Sequence, residues 1–313
     1  VYIFFAANQS DFLSKYGQQS IFNQIVTLCI VVFGQTLVVI TGGIDLSIGN
    51  IVAVTNCLIA TIMSVLITGL GSEGLGIVVT VILALILGMI CGLINGLIIV
   101  FGRMQAIIVT LATSMIFGGV ASYIRPQPGG NVCSTYVRLF SGFVFDTIPI
   151  TLIVILLMVF VVWIPFRKTR LGQSIYAIGG NEYSAYISGV KIRFTKVMAY
   201  TIAGLFAGFT GVMLTAQTAS GDALGSVTLT MNSIAAVVLG GVALTGGKGS
   251  YIGAVAGAAI MSLILGLMIF WGISSFYQSG AQGAILILAL AFGLLREFRY
   301  KKRTASLSKR GAC

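Results

Sequence analysis

Histidine is absent from the 313 residues, and charged residues make up only 8% of them. The absence of histidine excludes Ser-His triads, histidine-ligated metals and histidine proton relays. A soluble domain has about a quarter charged residues, so the low charge also excludes an ordinary globular protein. Proline is scarce, with 4 residues, whereas glycine supplies 40 and apolar residues reach 58%. This composition is typical of a polytopic membrane protein built from closely packed helices.

The cysteines and one glycine-rich segment could in principle form chemical sites, but their spacing does not match the known motifs. The five cysteines have no CxxC pair, so we interpret them as packing residues rather than a disulfide framework. The glycine-rich segment 241–249 resembles a phosphate-binding loop, but GxxxxGK[ST] requires glycine at Val242 and serine or threonine at Gly249. We therefore expect no catalytic residue, no metal, no cofactor and no nucleotide site in this chain.

Charge-free stretches predict the membrane spans, since a spanning helix needs about 20 residues largely free of charge. The first uncharged residues, 1–10, are too short to cross and lack a basic n-region, so we expect them to be the tail of a further helix. Ten spans in the intact protein, in one all-α transmembrane domain over 1–313, is the resulting prediction. The nine spans predicted within the chain are 16–44, 46–72, 74–102, 104–124, 147–166, 197–221, 223–247, 249–270 and 276–295.

Lysine and arginine decide the predicted orientation, because cytoplasmic loops carry the excess of basic residues. With the C-terminus cytoplasmic, only Lys15, Arg125 and Arg138 lie outside, and the other 15 of the 18 basic residues lie inside. The basic tail 296–313 is then cytoplasmic. The net charge of +11 is a topology signal, and no basic, aromatic-interleaved soluble face suggests nucleic-acid binding.

Two connections between spans are long. The outside segment 125–146 is rich in turn formers and is predicted to be a loop. The inside segment 167–196 can contain a short helix with Asn181 as N-cap and Glu182 in the first turn, ended by Ser188-Gly189. From the residues alone, this helix is equally a docking element for a soluble partner and a simple interfacial turn.

Small residues recur every fourth position in three segments and predict close helix packing, within one subunit rather than at a dimer face. A weak internal echo also joins 39–49 (VITGGIDLSIG) to 237–247 (VVLGGVALTGG), each ending a helix at a glycine pair and restarting one after serine or threonine. The small-residue stripes are Gly88, Gly92, Gly96; Gly204, Gly208; and Gly249, Gly253, Gly257.

Few polar residues remain inside the predicted spans. Asp45, in the motif formed with Gly42, Gly43 and Ser47, is interpreted as a cap of the following helix, with ion coupling as the less favoured role. Neutral polar groups either line a path for an uncharged, hydroxyl-rich solute or hydrogen-bond between helices. The candidate path residues are Asn56, Asn95, Thr110, Thr113 and Asn232, together with Gln24, Gln35 and Gln217.

From about residue 20 to 298, the chain resembles the permease subunits of bacterial ATP-binding-cassette (ABC) importers in the ribose, xylose and galactose branch, a branched-chain-type permease family that also includes autoinducer and nucleoside importers. Where sugar permeases of this family commonly carry Glu-Leu-Asp, this chain has Thr230-Met-Asn232, which argues against a direct transfer of ribose as substrate. The motifs that carry the resemblance are TGGIDLS (41–47), QAIIVTL (105–111), TRLG (169–172), YAIGGNE (176–182), SGV (188–190), 200–211, SIAAVVLGG (233–241) and GGKG (246–249).

The resemblance implies a vitamin-B12-permease-like transmembrane domain in the bacterial cytoplasmic membrane that moves a sugar, nucleoside or similar small polar solute inward. It implies partners: an ABC ATPase that uses ATP and Mg²⁺, a second identical or homologous permease, a periplasmic or lipid-anchored solute-binding protein, and the bilayer. The alternative is an ion-coupled or channel-type transporter that needs no ATPase. The residues that the resemblance places in the ATPase-coupling loop are Gly179, Gly180, Asn181, Glu182, Ala185, Ser188 and Gly189.

Overall fold

The computed structural model describes residues 14–274 and, beyond them, 277–278, 280–285, 287–288 and 291. The predicted segments 1–10 and 296–313 lie outside the described residues, and the predicted span 276–295 is described only in part. The helices in chain order are α1 (Lys15–Ile40), α2 (Ile48–Leu70), α3 (Glu73–Phe101), α4 (Ala106–Ile124), α5 (Ser134–Ser141), α6 (Ile150–Leu157), α7 (Ile164–Phe166), α8 (Arg170–Gly180), α9 (Glu182–Ile187), α10 (Ile192–Thr218), α11 (Thr228–Leu239) and α12 (Tyr251–Phe270).

Six helices in the described part of the chain are long and apolar enough to cross a membrane: α1 to α4, α10 and α12. Each coincides with a predicted charge-free span, with ends that differ by at most five residues. The largest difference is at α10, which begins at Ile192 rather than at 197 because its first turns carry Arg193 and Lys196. The protein is therefore an all-α polytopic membrane protein in the part that is described.

A further crossing runs from Ile150 to Phe166 and corresponds to the predicted span 147–166. Its middle, Met158–Trp163, is π-helical between α6 and α7. The chain then bends by 77° into α8. Thr169 makes the bend possible, because its hydroxyl accepts a hydrogen bond from the Gly172 amide and caps the new helix.

The prediction of a plain loop over 125–146 is wrong. The segment contains α5 and the first strand of a two-stranded antiparallel hairpin, β1 (Phe143–Val144) with β2 (Ile148–Pro149). Tyr136 in α5 is fully buried, and its hydroxyl donates to the Val212 carbonyl of α10 at 2.7 Å. The turn-forming composition concealed α5 because one buried tyrosine, rather than an apolar run, fixes this helix to the bundle.

The predicted small-residue stripes pack against each other inside this one chain, as expected. A Cβ on Gly88 would overlap the carbonyl oxygen of Gly204, and a Cβ on Gly92 would overlap that of Tyr200. In the same way Gly253 and Gly257 of α12 face α11 at Gly240 and Ala236, whereas Gly249 lies in the preceding loop at φ +123°. The missing side chains let the helix backbones approach to direct contact.

Contacts between the connections show which of them share a side of the bundle. The Gly247 amide donates to the Ile40 carbonyl at 2.9 Å, so the loop after α11 meets the end of α1. At the opposite side, Gly129 and Gly221 exchange two backbone hydrogen bonds of 3.0 and 2.7 Å. The chain therefore crosses the bundle between Gly221 and Gly247, although α11 is only 12 residues long.

Candidate functional site

The crossing between α10 and α12 is broken. A continuous span over 223–247 was predicted, but helix α11 covers only Thr228–Leu239, and residues 219–227 descend without helical structure. Twelve residues cover about 18 Å, well short of a hydrocarbon core of about 30 Å. Irregular backbone at such depth is tolerated only where protein satisfies its polar groups.

The side chain of Asn56 in α2 forms these hydrogen bonds for the first part of the irregular segment. Its amide nitrogen donates to the Ser220 carbonyl at 2.9 Å and to the Thr215 hydroxyl at 2.7 Å, and its oxygen accepts from the Asp222 amide at 2.7 Å. The Asn56 side chain is therefore occupied in holding the broken crossing. A candidate path residue proves to be a structural support of the discontinuity.

The first turn of α2 forms hydrogen bonds with the later part of the same segment, where α11 begins. The Ser226 hydroxyl donates to the Gly49 carbonyl at 2.9 Å, and the Gly49 amide donates to the Thr230 hydroxyl at 3.0 Å. A Cβ on Gly49 would overlap Thr230 Oγ1, so only glycine allows this approach. The starts of α2 and α11 thus meet inside the bundle, with their N-terminal dipole ends close together.

Asp45 lies fully buried in the connection between α1 and α2. Its Oδ1 accepts from the Ser47 amide at 2.8 Å and from the Ser47 hydroxyl at 2.6 Å, and Ser47 in turn accepts from Asn95 of α3 at 2.7 Å. The carboxylate therefore closes an Asx-type turn onto the N-cap residue rather than bonding to the helix proper. Beside it, a Cβ on Gly43 would overlap the Tyr200 hydroxyl.

The remaining threonine and asparagine candidates are also buried, as is Gln35, whereas Gln217 is half-buried and Gln24 is exposed. The Thr110 hydroxyl reaches the Ala106 carbonyl at 2.9 Å and the Ile44 carbonyl at 3.2 Å, and Thr113 bonds to Val109 of its own helix at 3.1 Å. Asn232 is 6% exposed, and its side-chain oxygen has no hydrogen-bond partner among the described residues. Of the glutamines, Gln217 accepts from Thr27 at 2.9 Å.

The surface of the broken crossing, in contrast, is open. Leu224 is 74% exposed, Met231 is 49% exposed, and Val227 and Thr228 between them are exposed as well. These residues were not predicted, because the sequence resembles an ordinary apolar span there. The signal that could have indicated the break is Gly225-Ser226, a pair of small, turn-forming residues inside the predicted span 223–247.

At the other side of the bundle, three segments meet at Gly179 in α8. A Cβ there would overlap both the Ile40 carbonyl oxygen and the Gly247 nitrogen. A Cβ on Gly246 would lie 3.0 Å from the Gly42 nitrogen, so the two echoing segments contact each other at this point, and the second restarts its helix only after Ser250. We call this three-way contact of Ile40, Gly179 and Gly247 the glycine junction.

Tyr176 fastens α8 to the same loop. Its hydroxyl donates to the Gly249 carbonyl at 2.7 Å. Burial raises the pKa of this phenol, so it remains a neutral donor throughout the physiological range. Helix α8, which directly precedes the predicted coupling helix, is therefore fixed to the rest of the bundle both at Tyr176 and at the glycine junction.

The short helix predicted in the loop is confirmed as α9. The Asn181 side chain accepts from the Ser184 amide at 2.9 Å as N-cap, and the helix ends at Ser188 and Gly189, the latter at φ +81°. Ala185 is its one buried residue and faces the bundle. The opposite face carries Tyr183, Tyr186 and Ile187, at 73%, 69% and 67% exposure.

Comparisons with known proteins agree with the all-helical transmembrane architecture. Residues 19–290 match the family model described as branched-chain amino acid transport system / permease component. The chain is 36% identical over 282 residues to the ribose import permease protein of Bacillus subtilis, covering 90% of this chain and 85% of that protein.

Two relatives from Escherichia coli strain K12 extend the comparison. The ribose import permease protein is 32% identical over 275 residues, which cover 87% of this chain and 83% of the relative. The D-allose transport system permease protein is 29% identical over 296 residues, which cover 94% of this chain and 88% of the relative. No solved structure gives a significant match.

Proposed function

The chain belongs to the family of branched-chain amino acid transport system permease components, and from this premise we propose that it is the membrane-spanning permease subunit of an ABC importer for a sugar. The relatives named as ribose and D-allose permeases support a neutral, hydroxyl-rich solute. The observation that carries the proposal is their similarity over nearly the whole chain, joined to a polytopic bundle. The chain itself is a transport subunit, and a separate ATPase supplies the energy.

The exposed face of α9 is the proposed contact with that ATPase. Its three large apolar or aromatic side chains, Tyr183, Tyr186 and Ile187, stand in water on one short helix, which is costly unless a partner covers them. Tyrosine is also enriched among the residues that dominate binding energy at interfaces. We place this face in the cytoplasm, because the basic residues around it follow the positive-inside pattern.

The glycine junction gives the ATPase a mechanical route into the bundle. A push on α9 reaches α8 through the single residue Asn181, and α8 contacts the end of α1 and the loop between α11 and α12 directly. Because these contacts are between backbones, no flexible side chain absorbs the displacement. Closure of the ATPase would therefore tilt α1 and α11 together, which is the rocking required for alternating access.

The exposed surface of the broken crossing is the proposed wall of the solute path. Discontinuous helices form the central sites of many transporters, since their free backbone ends face the solute. Val227, Thr228 and Met231 lie where α11 begins, on a face that is open in the single chain. A second permease copy, identical or homologous, would close this face and enclose the path, and an extracytoplasmic binding protein would deliver the solute.

The ion-coupled or channel-type alternative would need Asp45 as an ion site. Its Oδ1 accepts two hydrogen bonds from Ser47, and the residue has 0% exposure. We therefore propose a structural role for Asp45 and nucleotide-driven transport for the complex.

Co-purification and reconstitution test this function. The permease, expressed together with a candidate ATPase and a candidate solute-binding protein, should retain the ATPase through purification and take up ribose or a related sugar into proteoliposomes only with ATP. Tyr186→Ala should weaken ATPase retention, whereas Tyr123→Ala, which removes an 89%-exposed tyrosine at the opposite end of the bundle, should not. Uptake without ATP, or equal loss in both variants, would refute the proposal.

A further inference from the structure

A cavity of about 910 Å³ opens between α9, the end of α3 and the start of α10. It adjoins the proposed ATPase contact: Tyr186 of that face lines the cavity, whereas Tyr183 and Ile187 do not. The glycine junction does not use it either. Its position is the level at which two spanning helices, α3 and α10, leave the apolar part of the bundle.

The cavity is strongly basic. Arg103, Lys191, Arg193 and Lys196 line it, against the single carboxylate of Glu182. Lys196 is paired with Glu182 at 2.7 Å, and the other three cations are exposed. With Lys196 paired, three exposed cations remain on one concavity, and an anion bound among them would reduce their mutual repulsion. An anionic ligand with several acceptor oxygens, such as a phosphate group, is the complementary occupant.

Exposed apolar side chains also line the same cavity, and we call them its rim. Phe194 is 59% exposed and Met104 is 48% exposed, and both line the cavity. Phe101, at 63% exposure, is the last residue of helix α3, whose apolar side chains are mostly not buried within this chain. A ligand that fills the cavity thus contacts both cations and exposed apolar side chains. This combination matches an amphiphile and not a soluble anion.

We propose that this cavity binds the head group of an anionic phospholipid, with the acyl chains against the outer face of α3. Basic pockets between helices at the membrane surface are suited to such head groups. The assignment to the cytoplasmic leaflet rests on the orientation in the proposed function, but the binding itself does not. The lipid phosphate would compete with Glu182 for Lys196, so lipid occupancy would bear on the position of α9.

Native mass spectrometry of the purified permease, without ATPase or binding protein, tests the site. Phosphatidylglycerol should be retained in preference to phosphatidylcholine, and glycerol phosphate, which lacks the chains, should not displace it. The double variant Lys191→Gln/Arg193→Gln should weaken phosphatidylglycerol retention roughly tenfold or more, since each basic group near an anionic head group contributes about 1 kcal/mol.

The matched control is Lys168→Gln/Arg170→Gln, which removes the same charge from exposed positions outside the cavity. It should leave the lipid preference unchanged. Equal weakening in both double variants would overturn the proposal, because general surface charge would then explain the retention. Displacement by glycerol phosphate would also overturn it, in favour of a soluble phosphate ligand.

A second measurement locates the lipid. Phe194→Trp places a fluorophore on the rim, and its added emission should be quenched more strongly by phosphatidylglycerol brominated on the acyl chains than by brominated phosphatidylcholine. Equal quenching by the two lipids would contradict specific binding at this rim. Neither measurement involves transport, so a failure here would leave the importer function untouched, and the reverse also holds.

Discussion

Gly179 and Gly180 are adjacent glycines in the last turn of α8 with opposite surroundings, which makes them a sharp test of the glycine junction. A Cβ on Gly179 would overlap the Ile40 carbonyl oxygen and the Gly247 nitrogen and would lie 3.0 Å from the Gly247 Cα. A Cβ on Gly180 would have nothing within 4 Å. The same substitution, glycine to alanine, therefore separates a steric effect from a change of helix propensity.

The expected magnitudes follow from these surroundings. To restore an ordinary carbon–oxygen contact of about 3.3 Å, Gly179→Ala must push the two backbones apart by roughly 1.5 Å. Overpacking of this kind costs about 1–3 kcal/mol. This cost shifts the equilibrium from the packed junction towards a junction with separated backbones by roughly 5- to 150-fold. Gly180→Ala should instead stabilise α8 slightly, by at most about 0.5–1 kcal/mol, because alanine loses less backbone entropy.

The assay is sugar uptake per ATP hydrolysed in proteoliposomes, alongside the thermal stability of the purified permease. Gly179→Ala should hydrolyse ATP with much reduced uptake, and Gly180→Ala should behave as the unmodified protein. If the Gly179 variant does not fold, Gly179 can be left unchanged. The junction is then trapped by a disulfide between cysteines introduced into two of its segments, and uptake per ATP is measured before and after reduction. Equal uptake in the two alanine variants would refute the role of the junction as the route of force.

Two further predictions concern Asp45 and the orientation. Asp45→Asn keeps the acceptor for Ser47 and should retain ATP-driven uptake with ion gradients collapsed, whereas Asp45→Ala leaves two buried donors unpaired and should lower stability by about 1–3 kcal/mol; abolished transport in a folded Asp45→Asn would instead indicate ion coupling. For orientation, in a background without native cysteines, Ser184→Cys should react with an impermeant maleimide only from the cytoplasmic side and Gln127→Cys only from outside. Outside labelling at 184 would overturn both the topology and the docking face.

Much of the bundle could be predicted from the sequence because charge is so rare in it. Charged residues lie near the limits of α1 to α4, so these four helices were predicted with ends within a few residues. The stop of α9 was also local, since Asn181 and Gly189 act within one turn. Helix α8 was missed because Arg170 and three glycines give it no apolar signature, while its contacts at Gly179 come from distant parts of the chain.

The broken crossing could not be predicted for a different reason. Hydropathy sums the preference of side chains for leaving water, so residues 223–247 have the same hydropathy whether they are helical or extended. What prevents the helix is the set of hydrogen bonds that Asn56 offers to Ser220 and Asp222, together with the approach of Thr230 to Gly49. These partners are about 165 to 180 positions apart in the chain. Only the folded bundle reveals that Asn56 supports the broken crossing.

The short α11 has a consequence for how the protein is made. The non-helical residues before α11 cannot lie in lipid with unpaired backbone groups, although the segment 223–247 is apolar enough to enter the membrane. Their partners, Asn56 and Gly49, belong to α2, which is synthesised much earlier and is already in the membrane. We therefore expect the final, non-helical arrangement of this segment to form only after the preceding helices have assembled, with Asn56 as its template. Biogenesis of this permease is thus ordered along the chain, and defects at Asn56 would show first as a failed assembly of 219–239 rather than as a loss of sugar recognition.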